Sequence, residues 1–517
     1  MENFKILWVD DEVDLLRPHV LFLEERGFVV SSVTNGSDAL DILKDNQFDI
    51  IFLDENMPGL SGIETLSEIK KVINTPVVMI TKSEEESIME DAIGGKITDY
   101  LIKPVNPNQI LSSIKRNLDV DRLINNKVQT DYRKDYSLIS QSINQANNFQ
   151  DWSSVYKDLI NWELDLDKLS EESISEVLLM QKKEANTSFF RFIKNNYKLW
   201  FNENENKRPF FSNELLVQKV FPIISNKPLF FILIDNFRLD QWMLIKPLVE
   251  QFFSILEDST FSSILPTSTQ YSRNAIFSGL MPSQIKKYYP QYWVDDFEKG
   301  GKNLYEEELI KELLIREKKS YKLTYNKILN SDSGKKLVER SDELMKNDLN
   351  VIIYNFVDFL SHARTDVKMI KELADSEKSY RDLTLTWFKN SPLFELLKIL
   401  SNKNADVIIT TDHGTINVKN PLKIVGERDI STNLRYKNGR RMTFDTKNVF
   451  HIEKPSEVYL PQNNLSSSYV FASVDYFFAY PNNYNHYANY YKNTFQHGGV
   501  SLEEMIIPFV HLNQKNE

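Results

Sequence analysis

Five short apolar runs alternate with amphipathic stretches over the first 118 residues of the chain, at 4–9, 28–33, 49–54, 75–81 and 99–104. Each run has the length of a buried β-strand, and the stretches between them have the spacing of helices that cover a sheet. A βα repeat of this kind predicts a receiver-type, doubly wound parallel sheet with right-handed crossovers. We place this first domain at residues 1–118.

Two further regions follow, at 119–215 and 216–517. The first contains no strand-like run, and its apolar and aromatic residues recur at helical spacing, which predicts a helical bundle connector with an aromatic core. The second returns to a larger α/β pattern, with strand candidates at 228–235, 350–358 and 406–412. The chain of 517 residues is therefore predicted to hold three domains.

The stretch 415–470 is less regular and carries turn signals, including Asn438-Gly439. Within it, the segment 419–441 is locally basic in an otherwise acidic chain. This segment either guides a nucleotide backbone toward a site or forms a solvated hairpin, and the sequence leaves both readings open.

Composition excludes several classes of function. The chain has no cysteine, which rules out disulfides, thiol catalysis and Cys-ligated zinc and fits a reducing compartment. The start of the chain lacks the pattern of a signal peptide, and no apolar run is long enough to cross a membrane, so we expect a cytoplasmic protein without membrane insertion. The formal net charge of -11 argues against sequence-independent binding of duplex DNA.

Polar residues cluster where the predicted strands of the first domain end. Asp10 and Asp11 follow the first strand, Asp54 ends the third, Thr81 ends the fourth, and Lys103 follows the fifth. Because the carboxyl ends of parallel strands meet at one edge of a sheet, we expect these side chains to converge. Three clustered carboxylates need a cation, and oxygen ligands suit Mg²⁺. Lys103 and Thr81 can then contact a phosphoryl group transferred to Asp54.

This pattern resembles the receiver domain of bacterial response regulators, through the Asp pair, the D-x-x-M-P-G motif, the Thr and the Y-x-x-K-P motif. The resemblance implies that Asp54 is the phosphoacceptor and that a sensor histidine kinase is the partner. Phosphorylation is expected to draw two switch residues inward and to favour a homodimer. The implied residues are Asp10, Asp11, Asp54 and the backbone carbonyl of Asn56 for Mg²⁺, and Thr81, Tyr100 and Lys103 for the switch.

A second set of ligand-type residues lies in the last region. Each of three aspartates ends a predicted strand, and three of the seven histidines stand in comparable positions. Strand ends on one rim would bring these groups together, and His with Asp is a ligand mix that zinc accepts. Each motif alone is weak evidence for a metal site, since a D-x-x-x-H or a DHG sequence also arises in ordinary turns. The residues are Asp235, Asp358, Asp412, His362, His413 and His497.

The segment 265–282 adds a hydroxyl to this set. Its polar start precedes an apolar helical pattern, so Thr269 is predicted near a helix N-terminus, where the backbone N–H groups favour anions. Coordination to a divalent metal can turn such a hydroxyl into a nucleophile. The alternative role of Thr269 is that of an ordinary N-cap.

Residues from about 220 to 517 resemble the alkaline phosphatase superfamily and, within it, PglZ-type domains, because the candidate residues follow one another in that family's order. The resemblance implies two zinc ions and a Thr269 nucleophile. One zinc would take Asp358, His362 and His497, and the other Asp235, Thr269, Asp412 and His413.

Charge counting bears on the substrate. Two zinc ions, three aspartates and an ionised Thr269 sum to zero, so a phosphodiester monoanion is held more easily than a monoester dianion. Further cations would change this balance, and Arg238, Arg273 and Arg364 are placed to supply them unless they form structural salt bridges. Asn274 is a candidate donor to a non-bridging phosphoryl oxygen.

The order receiver, helical bundle, PglZ domain resembles PorX-type response regulators, a family linked to type IX secretion and gliding. That implies a PorY-like histidine kinase partner and contacts with a sigma factor or with secretion-system components. We expect a zinc-dependent phosphodiesterase acting on nucleotides or oligonucleotides. The alternatives are a non-catalytic, zinc-stabilised scaffold, which could lose Thr269, and a phosphomonoesterase or sulfatase.

Overall fold

The computed structural model describes residues 4–73, 75–82, 97–118, 120–168, 172–202, 208–366, 376–427, 430–464 and 466–515. The chain divides into two units, Met1–Tyr132 and Arg133–Glu517. In the described part of the chain, no helix combines the length and the apolar character needed to cross a bilayer.

The first unit is built on a five-stranded, fully parallel sheet of order β2-β1-β3-β4-β5, which confirms the predicted receiver-type fold. Its strands are β1 (Lys5–Val9), β2 (Val29–Val33), β3 (Ile50–Asp54), β4 (Val77–Thr81) and β5 (Asp99–Ile102). Its helices are α1 (Val13–Glu24), α2 (Gly36–Asp45), α3 (Gly62–Val72) and α4 (Pro107–Leu118). The start of α3 is specified locally, because Ser61 and Glu64 form a reciprocal capping box.

Both faces of this sheet are covered, which explains why its strands are apolar without alternation. Successive residues of a strand point to opposite faces. Leu7 and Ile51 therefore pack in one cluster, whereas Trp8 and Phe52 pack in another on the opposite face. The carboxyl ends of the strands meet at one edge of this sheet, where Asp10 and Asp54 are buried.

Helices lead into the second unit, as the sequence predicts for the connector. They are α5 (Val120–Gln145), α6 (Phe149–Leu166) and α7 (Glu172–Asn196). The aromatic residues of the connector form a buried cluster in which Trp152 packs edge-on against Phe189 and Tyr197 packs against Trp200. The aromatic stripe is therefore core packing.

A six-stranded sheet of order β7-β19-β10-β6-β9-β8 forms the centre of the second unit. The strands are β6 (Leu229–Ile234), β7 (Phe253–Ser262), β8 (Leu323–Ile328), β9 (Leu349–Tyr354), β10 (Asp406–Thr410) and β19 (Ile506–Gln514). The neighbours β10, β6, β9 and β8 are parallel, and β19 runs antiparallel to β10 and β7. The three predicted strands are thus β6, β9 and β10, side by side, and their carboxyl ends share one edge.

Helices and smaller sheets surround this centre. The helices are α8 (Leu239–Val249), α9 (Thr269–Ser278), α10 (Pro282–Tyr288), α11 (Glu306–Arg316), α12 (Ser331–Glu339), α13 (Ser341–Leu344), α14 (Phe356–Asp366), α15 (Glu377–Asn390), α16 (Pro392–Ser401), α17 (Tyr484–Tyr491) and α18 (Leu502–Met505). The strands are β11 (Ile416–Val418), β12 (Asn420–Val425), β13 (Tyr436–Arg440), β14 (Thr443–Phe444), β15 (Val449–Ile452), β16 (Ser467–Ala472), β17 (Tyr476–Ala479) and β18 (Thr494–Gln496).

The turn predicted at Asn438-Gly439 is wrong. Both residues lie within β13 and pair with β16, Asn438 opposite Tyr469 and Gly439 opposite Ser468. A Cβ at position 439 would stand 2.7 Å from the side chain of Ile430, so the glycine is required by close packing. An Asn-Gly pair therefore marks a close approach here, and local turn chemistry could not reveal it.

Candidate functional sites

The first site lies at the carboxyl edge of the receiver-type sheet. Asp10 directly follows β1, Asp54 ends β3, and Lys103 directly follows β5. The Lys103 ammonium nitrogen lies 2.8 Å from Asp10 Oδ2 and 2.9 Å from Asp54 Oδ2. Carboxylate oxygens of Asp10, Asp11 and Asp54 all lie within 4.8 Å of one another. The structure therefore brings the predicted acidic residues and the lysine together.

The Asp54 carboxyl is suited to a cation. Its Oδ1 atom is buried and makes no hydrogen bond. Burial raises the pKa of Asp54, and the neighbouring Asp10 adds to this although Lys103 opposes it. A divalent ion held by oxygen ligands would satisfy the buried atom and relieve the repulsion, so the residues present fit Mg²⁺.

The remaining receiver residues lie on strands of the same sheet or in the loop after β3. Thr81 ends β4 and is fully buried. Tyr100 lies on β5, half-buried against the apolar cluster of one face. Asn56 lies two residues beyond the end of β3, in the loop that follows this strand, and is exposed.

The second site lies at the carboxyl edge of the larger sheet. Asp235 directly follows β6, and Asp412 and His413 follow β10 after a single residue. Ligand atoms of these three residues lie within 4.8 Å of one another, and all three are buried. The placement of Asp358 differs from the prediction, because β9 ends at Tyr354 and Asp358 lies in the first turn of α14.

Two imidazoles present the same ring nitrogen to the carboxylates. His413 Nδ1 lies 3.1 Å from the carbonyl oxygen of Gly414, and His497 Nδ1 lies 3.3 Å from that of Thr267. A carbonyl can only accept a hydrogen bond, so Nδ1 donates in each ring and Nε2 is left as the basic nitrogen.

Each Nε2 faces carboxylate oxygens at more than hydrogen-bond distance. His413 Nε2 lies 3.8 Å from Asp235 Oδ1 and 3.7 Å from Asp412 Oδ2, and His497 Nε2 lies 3.9 Å from Asp358 Oδ1. Ligands bound to one zinc at about 2.0–2.2 Å each would be separated by a similar or slightly smaller distance. Backbone acceptors on the opposite nitrogen are the usual support of metal-bound histidine, so this donor set fits divalent metal ions.

Asn236, which sequence reasoning missed, lies between the two halves of the cluster. Its side-chain nitrogen lies 3.4 Å from Asp358 Oδ1 and donates to Ser361 Oγ at 3.1 Å, while its backbone nitrogen lies 3.5 Å from Asp412 Oδ1. Its φ angle is 62°, a left-handed conformation that Asn tolerates better than most residues. An Asn directly after a strand-ending Asp is the only sequence signal for this role.

Thr269 is the first residue of α9, and the N-cap position belongs to Ser268. The Thr269 hydroxyl points into the cluster, 3.1 Å from His413 Nε2 and 3.4 Å from Asp235 Oδ1. The N-cap role considered for Thr269 is therefore wrong. Its hydroxyl instead contacts a carboxylate and an imidazole of the cluster.

Arg273 lies one helical turn beyond Thr269 and is fully buried. Its guanidinium pairs with Asp235 and Glu306, and its Nε donates to Asp412 Oδ2 at 3.0 Å. Burial opposes ionisation of Asp412, but Arg273 outweighs it and lowers the pKa of this carboxyl. Burial raises the pKa of Asp235 despite Arg273. Arg273 thus neutralises part of the negative charge of the cluster from its buried side.

Two predicted substrate contacts are occupied by protein partners. The Asn274 side-chain nitrogen donates to the carbonyls of Gln270 and Lys302, at 2.8 and 3.1 Å. Arg238 is fully buried and pairs with Asp240 and with Glu377, the latter at 2.7 Å. Both side chains are therefore structural, and neither is directed at a bound phosphate.

Some predicted site residues lie outside the described residues, and others are buried away from solvent. His362 belongs to α14, one turn beyond Asp358, but its side chain and that of Arg364 lie outside the described residues. In the basic segment, Arg435 and Lys437 are fully buried, and Arg435 pairs with Glu504 at 2.6 Å. The picture of a solvated hairpin is thus wrong for these two residues.

Comparison with known protein families finds three consecutive matches. A model described as a response regulator receiver domain matches residues 6–115, and one described as a PorX response regulator linker domain matches residues 122–201. A third, described as the BREX system PglZ alkaline phosphatase-like domain, matches residues 215–512, which is more than half of the chain. The order of the matches is that of PorX-type response regulators.

Individual relatives match the receiver part. The transcriptional regulatory protein ResD of Bacillus subtilis is 32% identical over 111 residues, which are 22% of this chain and 46% of ResD. The CpxR homolog of Haemophilus influenzae is 39% identical over 113 residues, which are 22% of this chain and 48% of that protein. The chain thus spans about half the length of these curated relatives. A CheY-like receiver domain structure from Methanospirillum hungatei is 26% identical and covers 22% of this chain and 94% of its own, with a TM-score of 0.22.

Proposed function

The chain belongs to the PglZ alkaline phosphatase-like family, and from this premise we propose that it is a response regulator whose output is a zinc-dependent phosphodiesterase acting on nucleotides or oligonucleotides. The observation that carries the proposal is the position of the Thr269 hydroxyl at a helix N-terminus, inside a cluster of carboxylates and imidazoles. Nucleophilic attack on phosphorus needs a hydroxyl that is surrounded by such metal-binding groups.

Two zinc ions are assigned to this cluster. The first takes Asp358, His362 and His497, and the second takes Asp235, Thr269, Asp412 and His413. Support comes from the distances of 3.7–3.9 Å between ring nitrogens and carboxylate oxygens in both halves. When bound, the metal ions lower the pKa of a coordinated hydroxyl and stabilise negative charge on phosphoryl and leaving oxygens.

The protein groups divide the reaction into two transfers. The Thr269 oxygen attacks phosphorus and forms a phosphothreonine that keeps the second ester group, while the bond to the leaving alcohol breaks and the alcohol departs with the proton given up by the hydroxyl. Water then attacks the phosphothreonine, which releases a phosphomonoester and restores the hydroxyl. Arg273 holds Asp235 and Asp412 in place throughout, because it pairs with both from the buried side.

A diester is favoured over a monoester by the charge of the site. Two zinc ions balance three carboxylates and an ionised Thr269, which leaves a neutral centre. Two buried arginines leave this sum unchanged, because Arg238 pairs with Asp240 and the charge of Arg273 is matched by that of Glu306, which is not among the zinc ligands. A phosphodiester carries a single negative charge, so a neutral centre holds it more easily than the dianion of a monoester.

The receiver domain implies a phosphorylating histidine kinase as partner. We assign the phosphoryl group to Asp54, Mg²⁺ to Asp10, Asp11 and the backbone of Asn56, and the switch to Thr81, Tyr100 and Lys103. The kinase is assigned to the PorY type, and phosphorylation favours a homodimer. The match to the PorX linker supports a role in type IX secretion or gliding, with a sigma factor or a secretion component as a further partner.

Hydrolysis by the purified full-length chain tests this function. Zinc-loaded protein is given a chromogenic phosphodiester and the corresponding monoester. We expect turnover of the diester to exceed that of the monoester and to cease when a chelator removes zinc. A monoester preference would transfer the assignment to phosphomonoesterases, and absence of turnover of either substrate by zinc-loaded protein would favour the scaffold role.

A further inference from the structure

The short helix α18 touches both loops that carry the histidine ligands. On one side it meets the loop of His413, where the Gly414 backbone nitrogen donates to the carbonyl of Glu504 at 3.2 Å. The approach is so close that a Cβ on Gly414 would stand 2.0 Å from the carbonyl oxygen of Glu503. The loop that follows His413 therefore cannot shift toward α18, and α18 cannot move inward without displacing this loop.

On the other side α18 holds the loop of His497. The Gly499 backbone nitrogen donates to Glu504 Oε1 at 2.8 Å, and Ser501 Oγ donates to Glu504 Oε2, also at 2.8 Å. Glu504 is fully buried, so these bonds form away from water and are costly to break. One helix of four residues thus sets the backbone position beyond both imidazoles.

The connector helix α7 fixes α18 in turn. Asn186 Oδ1 accepts from the backbone nitrogen of Leu502 at 2.8 Å, and Asn186 Nδ2 donates to Glu503 Oε2 at 3.0 Å. Asn186 and Glu503 are each only 3% exposed, so neither group has water as an alternative partner. Lys182, one turn earlier on α7, lies 3.3 Å from Glu503 Oε1. The amide therefore ties both the start of α18 and its acidic side chain to the connector.

We propose that Asn186 is a positioning residue for the metal centre: the connector sets the geometry of His413 and His497 through α18. This inference rests on the proposed zinc site, and it assigns the connector a part in building that site. Mutation of a residue that positions a metal ligand commonly weakens metal binding by about 10–100-fold. Loss of the Asn186 contacts is therefore expected to weaken zinc binding by a similar factor.

The test measures zinc affinity of metal-free, full-length protein by competition with a chromogenic chelator, well below the melting temperature. Asn186→Leu keeps the branched shape and the number of heavy atoms of the side chain and removes both hydrogen bonds. Asn186→Asp keeps the acceptor for Leu502 but sets a second carboxylate against Glu503. The pair Asn186→Asp with Glu503→Gln restores the contact with its donor and acceptor exchanged, and it keeps the net charge.

Ser153→Ala is the matched control. Ser153 also joins the connector to the output domain by a part-buried hydrogen bond, 2.6 Å long, but its partner Thr260 lies on β7, remote in sequence from both ligand loops. If Asn186 has a merely structural role, Asn186→Leu and Ser153→Ala should both have a lower melting temperature and bind zinc with wild-type affinity. The positioning role predicts that zinc binding weakens only when Asn186 is changed.

We expect about 10–100-fold weaker zinc binding in Asn186→Leu and Asn186→Asp, recovery in the double variant, and wild-type affinity in Ser153→Ala. Unchanged affinity in folded Asn186→Leu, or equal weakening in Ser153→Ala, would overturn the inference. If Asn186→Leu does not fold, the comparison of Asn186→Asp with the double variant decides the question. Zinc affinity that stays weak in the double variant would then reject the positioning role. Failure of the wild-type protein to bind zinc would instead reject the proposed metal centre.

Discussion

The imidazole rings of His413 and His497 are stacked, with their centroids 4.3 Å apart and their planes inclined by 19°. Two positively charged rings at this separation would repel each other strongly in a buried site. A metal ion binds the neutral form of each imidazole, in which the stacked rings do not repel each other. The two basic nitrogens face different carboxylates, so each ring can serve a different ion.

His497→Ala tests this division between the two ions. Zinc-loaded wild-type protein is expected to hold about two zinc ions per chain, and the variant about one, because His413 keeps its own carboxylates. Elemental analysis of the gel-filtered protein measures the difference. His511→Ala is the control, since the His497 and His511 side chains are both 12% exposed and each faces an aspartate, but His511 lies on β19 beside Asp406. Equal zinc content in all three proteins would contradict the assignment.

Thr269→Ala tests the nucleophile. The hydroxyl is expected to supply the attacking oxygen but to be one ligand among seven, so the variant should fold, keep most of its zinc and lose at least about 1,000-fold in diester turnover. Thr269→Ser keeps a hydroxyl and should retain part of the activity. Turnover and zinc content are measured on the same preparations. Full turnover in folded, zinc-loaded Thr269→Ala would remove the residue from the mechanism.

The strand ends of both sites could be predicted because each carries a local signal. An apolar run followed by a polar residue predicts Asp54 and Asp235 at the edge of a parallel sheet, and both lie there. Asp358 is the exception, because its run continues past the end of β9 into the apolar start of α14. The periodicity of apolar residues alone does not distinguish a buried strand from the first turn of a buried helix.

The supporting residues could not be predicted, since their partners are distant in sequence. Asn186 contacts Glu503 across 317 positions, and neither residue stands in a recognisable motif. Arg273 was expected to face the substrate, yet it pairs with three carboxylates beneath the site. A charged side chain near a candidate ligand gives no indication of which side of the cluster it occupies, because that depends on the packing of α9.

Asp54→Ala tests the phosphoacceptor. A small phosphodonor with Mg²⁺ should add one phosphoryl group to wild-type protein and none to the variant, because Asp54 ends β3 with a buried, unpaired oxygen beside Lys103. Intact mass measures the added group. Asp49→Ala is the control, since Asp49 accepts from the backbone of Lys5 at the opposite end of β3. Equal labelling of Asp54→Ala would reject the site.

Arg273→Leu tests the balance of charge within the metal centre. The variant leaves the carboxylates of Asp235, Asp412 and Glu306 buried without their shared cation, which costs about 3–5 kcal/mol of unfolding free energy in metal-free protein. Bound zinc would neutralise the first two carboxylates, so the loss should be smaller in zinc-loaded protein. Chemical unfolding of wild type and variant, each with and without zinc, measures both values. An equal loss with and without zinc would contradict this role.

Lys437 carries a pH dependence that is independent of the metal centre. Its amine is fully buried, donates to the carbonyl of Ser431 at 2.9 Å and lies 3.2 Å from the hydroxyl of Tyr480. In the part of the chain that the structure describes, it forms no ion pair. Burial lowers the pKa of Lys437 from 10.5 to about 7, because the charged form loses its hydration.

The direction of the effect follows from proton binding. Between pH 7 and 10.5 the unfolded chain keeps a proton on Lys437 that the native protein has released. The free energy of unfolding therefore rises with pH in this window, by up to about 1.4 kcal/mol per pH unit from this group, and is flat below it. Lys437→Met lacks this slope, so its stability advantage over wild type should be greatest near pH 7 and shrink toward pH 9.5. Urea unfolding at several pH values measures the difference, with the exposed Lys423→Met as control. A constant difference between Lys437→Met and wild type across this range would show that the buried amine stays protonated in the folded protein.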